Sequence, residues 1–244
     1  MATSRSEPVD DPAGTAAGRP AEVHERIERA LCSAGRAHEK ITLIAVSKTH
    51  GAGDVARLAA LGQIDFGENY LQEAAAKIRE LADAKLTWHF IGHIQSNKCA
   101  DIARLFDVVH SVDRAKVARR LGEAARALGR TIDVMVQVNV QAEAGKSGVA
   151  PRELPALIEE TATIEGLRLR GLMAIPEPAA DFESQRRPFA ELRRLLEEAR
   201  ESGITLDSLS MGMSADLEAA IAEGATHVRV GTALFGPGNY DREN

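Results

Sequence analysis

The run ITLIAVS, residues 41–47, is apolar, rich in β-branched side chains, and stops at a lysine, Lys48. Such a run suits a strand covered on both faces. An amine at the end of that strand can form a Schiff base with a carbonyl compound if it can shed its proton, and partial burial lowers a lysine pKa. A solvated lysine at a strand end is the plainer alternative. A second candidate is SMGMSADLEAAIAEG, residues 210–224. Ser210 to Ser214 form a short loop, and Ser214 is a good N-cap for a helix from Ala215. Hydroxyls and free N–H groups at a helix start bind phosphate, although Asp216 and Glu218 weaken that attraction. Capping alone accounts for Ser214, but not for the whole run of Ser and Gly. The third candidate is HVRVGTALFG, residues 227–236. Arg229 alternates with Val228 and Val230, and a charge inside an apolar strand is costly without a partner. Gly231 permits close backbone approach there, and Thr232 adds a hydroxyl.

Other polar stretches carry weaker signals. FGENY supplies Glu68 and Asn69, and WHFIGHIQSNK gathers His89, His93, Gln95, Ser96, Asn97 and Lys98. His89 and His93 fall on a strand and its loop, not on one helix face, so a metal site is not expected. Lys146 lies in a GKS triplet, but position 140 is Val and the phosphate-loop spacing GxxxxGK[ST] is missing. Cys32 and Cys99 stand in no ligand spacing and read as reduced thiols.

The elements that must position these residues alternate regularly. Strands are expected at 41–47, 64–67, 87–91, 108–111, 132–140, 169–174, 206–211 and 227–230. Helices are expected at 21–37, 54–61, 70–82, 96–105, 114–128, 151–163, 189–202 (with Pro188 near the first turn) and 215–223. Repeated right-handed βα crossovers of this number close into a single (β/α)8 TIM barrel, with a doubly wound open sheet as the alternative. Lys48, Asn69, Ser210, Ser214, Gly231 and Thr232 then fall where strands end, and barrels often bind phosphate with the loops after strands 7 and 8.

Composition excludes several function classes. The net charge of −6 is spread along the chain and leaves no basic footprint for nucleic acid. With one Trp, two Tyr and six Phe, no aromatic stripe is available to stack bases. No apolar run is long enough for a membrane span. Residues 1–20 lack a signal-peptide core and read as a disordered tail before a barrel domain over 21–244, with a cytoplasmic address.

The segments AVSKTH, FGENYLQE, WHFIGHIQSNK, VHSVD, GKSGV, GLMAI and SMGMSADLEAAIAEGATHVRVGTALFG resemble the pyridoxal phosphate homeostasis proteins, the family of the proline synthetase co-transcribed homologues. They run from the first strand to the last. The resemblance implies a barrel of the alanine racemase N-terminal-domain type, with pyridoxal 5′-phosphate (PLP) held as a Schiff base on Lys48. It places Arg229 at the pyridine nitrogen, Ser210, Ser214, Gly231 and Thr232 around the phosphate, and Val46 and Asn69 along the ring. His93 departs from the family's usual proline. An arginine can only donate, so it leaves the ring nitrogen unprotonated; alanine racemase tolerates the same arrangement. Racemases of this fold take a second acid/base tyrosine from a further domain, and the tyrosines here, Tyr70 and Tyr240, match no such position. The expectation is therefore a monomeric PLP carrier or regulator of vitamin B6 homeostasis with no catalytic residues, serving apo forms of PLP-dependent enzymes. A small PLP-dependent amino-acid racemase and a binder of another phosphorylated metabolite are the alternatives.

Overall fold

A computed structural model describes residues 12–143 and 145–236. Strands β1 (Thr42–Val46), β2 (Asp65–Glu68), β3 (Thr87–Phe90), β4 (Val108–Val112), β5 (Ile132–Gln137), β6 (Leu167–Met173), β7 (Ser208–Ser210) and β8 (His227–Val230) close in sequence order into a parallel barrel. Closure is carried by β1 against β8, in register from Thr42↔His227 to Ala45↔Val230. That pairing excludes the open sheet.

The helices are α1 (Pro12–Ser33), α2 (Ala52–Ala60), α3 (Leu71–Glu80), α4 (Cys99–Leu105), α5 (Ala115–Ala127), α6 (Leu154–Ala162), α7 (Phe182–Glu201), α8 (Leu217–Ala222) and α9 (Thr232–Phe235). Outward strand residues such as Ala45, Phe66, Trp88, Val134 and Val228 are buried beneath them in one apolar layer. β1, covered on both faces, reads as a nearly continuous apolar run, whereas β3, β4 and β8 interrupt theirs with His89, His110 and Arg229.

Three local expectations change. α1 begins at Pro12, so residues 12–20 of the expected tail belong to the helix, where Ala13, Ala16 and Ala17 have the highest helix propensity. Residues 1–11 and Tyr240 lie outside the described residues. α7 starts at Phe182, because the Asp181 carboxylate caps it by accepting the Ser184 N–H at 2.9 Å. Pro188 is therefore inside the helix rather than near its first turn. Ser214 does not cap α8: the helix starts at Leu217, and Asp216 occupies the N-cap position. The Asp216 carboxylate instead accepts the Met213 N–H at 2.6 Å, which folds Met213–Asp216 into a turn and delays the helix.

Candidate functional site

Parallel strands end on one face, so whatever directly follows a strand is delivered there. Past β1, Ser47 to His50 form a tight turn in which the His50 N–H donates to the Ser47 carbonyl at 3.1 Å. Thr49, its third residue, has φ 65°, a left-handed conformation that β-branched residues rarely take. Lys48 is half-buried. Its amine has no partner among the described residues, whereas that of Lys77 on α3 is fully engaged. Lys77 is 5% exposed. Its Nζ donates to the Ser47 carbonyl at 2.5 Å, to Glu68 Oε1 at 2.7 Å and to Glu73 Oε1 at 2.6 Å. Glu68 Oε1 also accepts the Ser47 hydroxyl at 2.6 Å, and Glu73 Oε1 the Thr49 N–H at 2.7 Å. Burial pushes the Glu68 carboxyl above its usual range, and Lys77 pulls it back.

On the other side of β1, Arg229 of β8 pairs in register with Ile44. It is 3% exposed. NH1 donates to Ser210 Oγ at 2.6 Å and NH2 to the Ala174 carbonyl at 2.9 Å. A guanidinium has five N–H donors, so most of them remain unused among the described residues. Burial lowers its pKa to about 10, with Asp216 opposing the shift, and the group stays charged at neutral pH.

Arg229 is held by a chain that crosses the barrel interior. Ser210 Oγ lies 2.8 Å from His110 Nδ1, His110 Nε2 lies 2.9 Å from His89 Nδ1, and His89 Nε2 lies 2.9 Å from Asp65 Oδ1. A carboxylate only accepts. With Asp65 ionised, His89 donates from Nε2, His110 donates from Nε2 to His89 Nδ1, and the Ser210 hydroxyl donates to His110 Nδ1. Burial holds His110 well below 6.5, in keeping with a neutral ring there. The single Ser210 proton therefore points to His110 while its oxygen accepts from Arg229. It has no proton left to give an anion.

The loops after β7 and β8 adjoin. The Arg229 N–H donates to the Gly212 carbonyl at 2.9 Å. Ser214 is half-buried in the first loop, where its carbonyl accepts from Arg26 NH2 at 2.9 Å. Gly231 opens α9, followed by the exposed Thr232. A Cβ on Gly231 would stand 3.3 Å from the Val46 carbonyl, so the absence of a side chain brings Gly231 and Val46 together. Past β2, Asn69 Oδ1 is buried without a partner among the described residues.

The structure thus brings Val46 to Gly231 and Ser210 to Arg229, and delivers Lys48, Asn69, Ser214 and Thr232 to the same barrel face. Glu68 instead points outward, between the barrel wall and α3. His93 is exposed, 3.4 Å from the Ser147 hydroxyl. Lys146 pairs with Glu143 at 2.7 Å and Glu177 at 3.2 Å. No group of His, Cys, Asp or Glu suited to a metal occurs among the described residues. No helix there is long and apolar enough to cross a membrane. Lys77, Glu73, Asp65 and His110 were not singled out from sequence. His110 in VVHSV carries the signal that exposed Arg229, a polar side chain inside an apolar strand.

Comparison with known proteins agrees with this fold. Residues 25–238 match the family described as alanine racemase, N-terminal domain. A pyridoxal phosphate homeostasis protein of Pseudomonas aeruginosa is 56% identical over 220 residues, 90% of this chain and 94% of the relative. The Escherichia coli K12 protein of the same name is 42% identical over 226 residues, 91% of this chain and 97% of the relative. Among solved structures, PipY of Synechococcus elongatus PCC7942 with PLP bound has TM-score 0.80 and 38% identity, covering 90% of this chain and 99% of that one. An alanine racemase of Clostridium difficile 630, at 21% identity and TM-score 0.68, shares the fold over 89% of this chain and 56% of its own length.

Proposed function

Because this chain belongs to the pyridoxal phosphate homeostasis proteins, within the alanine racemase N-terminal domain family, we propose that it binds PLP covalently through Lys48 and serves vitamin B6 homeostasis as a carrier or regulator. The observation that carries the reading is an unengaged lysine amine just past β1 and, on the adjacent β8, a buried arginine that has no carboxylate in ion-pair range among the described residues. A buried cation of that kind favours an anionic or electron-rich ligand. Lys48 would hold PLP, whose aldehyde would supply an electrophilic carbon able to form a Schiff base with the lysine amine, with loss of water.

The other residues divide the remaining tasks. Arg229 donates to the pyridine nitrogen and never protonates it. Val46 and Asn69 flank the ring, and Ser214, Gly231 and Thr232 receive the phosphate. Ser210, assigned to the phosphate by resemblance, serves better by orienting Arg229. Arg229 would make the ring a weaker electron sink without by itself excluding catalysis, and the homeostasis naming of the relatives supports a protein that turns over no amino acid at a physiological rate. It acts as a monomer and supplies apo forms of PLP-dependent enzymes.

Borohydride reduction of the PLP-loaded protein followed by peptide mass mapping tests this. A single adduct on Lys48, lost in Lys48→Ala together with the absorbance near 420 nm, supports the reading. An adduct on Lys98 or Lys146 refutes the site, and stereospecific racemisation of an amino acid, abolished in Lys48→Ala, refutes the non-catalytic role.

A further inference from the structure

The turn that carries Lys48 is gripped from outside the barrel. Its first residue presents its carbonyl to Lys77 Nζ, and its third residue presents its N–H to Glu73 Oε1. These two bonds bracket Lys48. Glu73 and Lys77 are themselves paired at 2.6 Å, one helical turn apart on α3, so both ends of the turn are tied to one rigid element. The residue so tied, Thr49, is the β-branched one at positive φ, in a position that turns of this kind reserve for Gly or Asn. A bond from Glu73 to that N–H holds the peptide orientation which the side chain of Thr49 disfavours.

We propose that Glu73 and Lys77 are positioning residues for the Lys48 amine: by fixing the left-handed conformation at Thr49 they aim Lys48 at the barrel mouth. The inference rests on Lys48 being the residue that takes PLP. Neither Glu73 nor Lys77 touches the ligand face; both act through the backbone on either side of Lys48. Glu68 completes the grip by taking the Ser47 hydroxyl and one Lys77 proton. The arrangement separates two events that a single site usually couples. Phosphate contacts come from the loops after β7 and β8, and the covalent attachment comes from a turn whose geometry is set by α3.

The test compares two probes on the full chain. PLP can attach covalently. 4-Deoxypyridoxine 5′-phosphate has the same ring and phosphate but no aldehyde. Glu73→Ala is the working variant, because Glu73 is 30% exposed in its side chain and Lys77 keeps Glu68 as its partner. It should lower the yield of borohydride-trapped Lys48 adduct at limiting PLP about tenfold, the equilibrium effect of freeing one strained residue. Its affinity for the deoxy analogue should match that of the unaltered protein. Glu73→Gln, which keeps an acceptor for the Thr49 N–H, should lose less. Thr49→Gly in the Glu73→Ala background should restore the adduct, since glycine adopts positive φ without help. An equal loss for both probes, no loss, or failure of Thr49→Gly to restore the adduct overturns the inference while leaving Lys48 as the attachment site. An adduct that persists in Lys48→Ala overturns both.

Discussion

The two sides of β1 hold their charged residue in opposite ways. Toward β2 and α3, the Lys48 turn is clamped by full charges outside the barrel wall: a lysine buried to 5% exposure against two carboxylates. Toward β8, Arg229 sits inside the barrel and is held by neutral groups, a hydroxyl and a carbonyl, backed by two histidines that relay to Asp65. The first arrangement engages all three Lys77 protons and leaves Lys48 without a partner among the described residues. The second leaves a buried cation short of an anion. On the proposed reading, one side positions the amine and the other the buried cation that a ligand would meet.

The largest effect that should separate the two sides is Lys77→Met. It strands Glu68 and Glu73 without their cation, and removing one member of a buried ion cluster costs about 3–5 kcal/mol. Urea unfolding at pH 7 measures it; a loss under 1 kcal/mol would mean the clamp carries no stability. Next comes pH. His227 is half-buried and sits at about 4, against 6.5 for an unperturbed histidine, chiefly through desolvation. Between these values the unfolded chain binds a proton that the native one refuses, so stability falls as pH drops from about 6.5 to about 4. The shift corresponds to ~3 kcal/mol, and His110 acts with the same sign. Glu68, raised in the fold, takes a proton before the unfolded chain does and acts with the opposite sign. Acid should thus weaken the β8 side and spare the clamp. His227→Gln should flatten the fall in urea midpoint between pH 7 and pH 4.5; an unchanged slope would break the comparison. The smallest effect is Arg229→Met without ligand. It removes two buried donors from Ser210 and Ala174 but also removes an uncompensated charge, so the net cost should stay near 1–2 kcal/mol. A cost equal to that of Lys77→Met would show that both sides are ionic.

Most of the barrel was legible in the sequence because every strand is covered on both faces, and the apolar run this requires is visible without knowing its neighbours. Lys48, Arg229 and Gly231 stood out for the same reason: each interrupts or ends such a run. The start of α7 was missed because Pro188 dominated the reading and the Asp181 cap lies well upstream of it. Ser214 was misplaced as a cap because its type suits the role, while Asp216, further along, takes the position in space.

The sequence by itself determined the order of elements, and it marked Lys48 and Arg229 as candidates because each ends or interrupts an apolar run. Only the tertiary structure decided which lysine is free. Lys48 and Lys77 are alike as residues, and nothing in their local spacing says that Lys77 meets two carboxylates and a carbonyl while Lys48 meets none among the described residues. It also decided that Ser210 serves Arg229, since its partner His110 stands 100 residues away on a strand that is not its neighbour in the sheet. Hydrogen-bond partners across a closed barrel depend on closure and register, and these are properties of the assembled sheet that no single segment encodes.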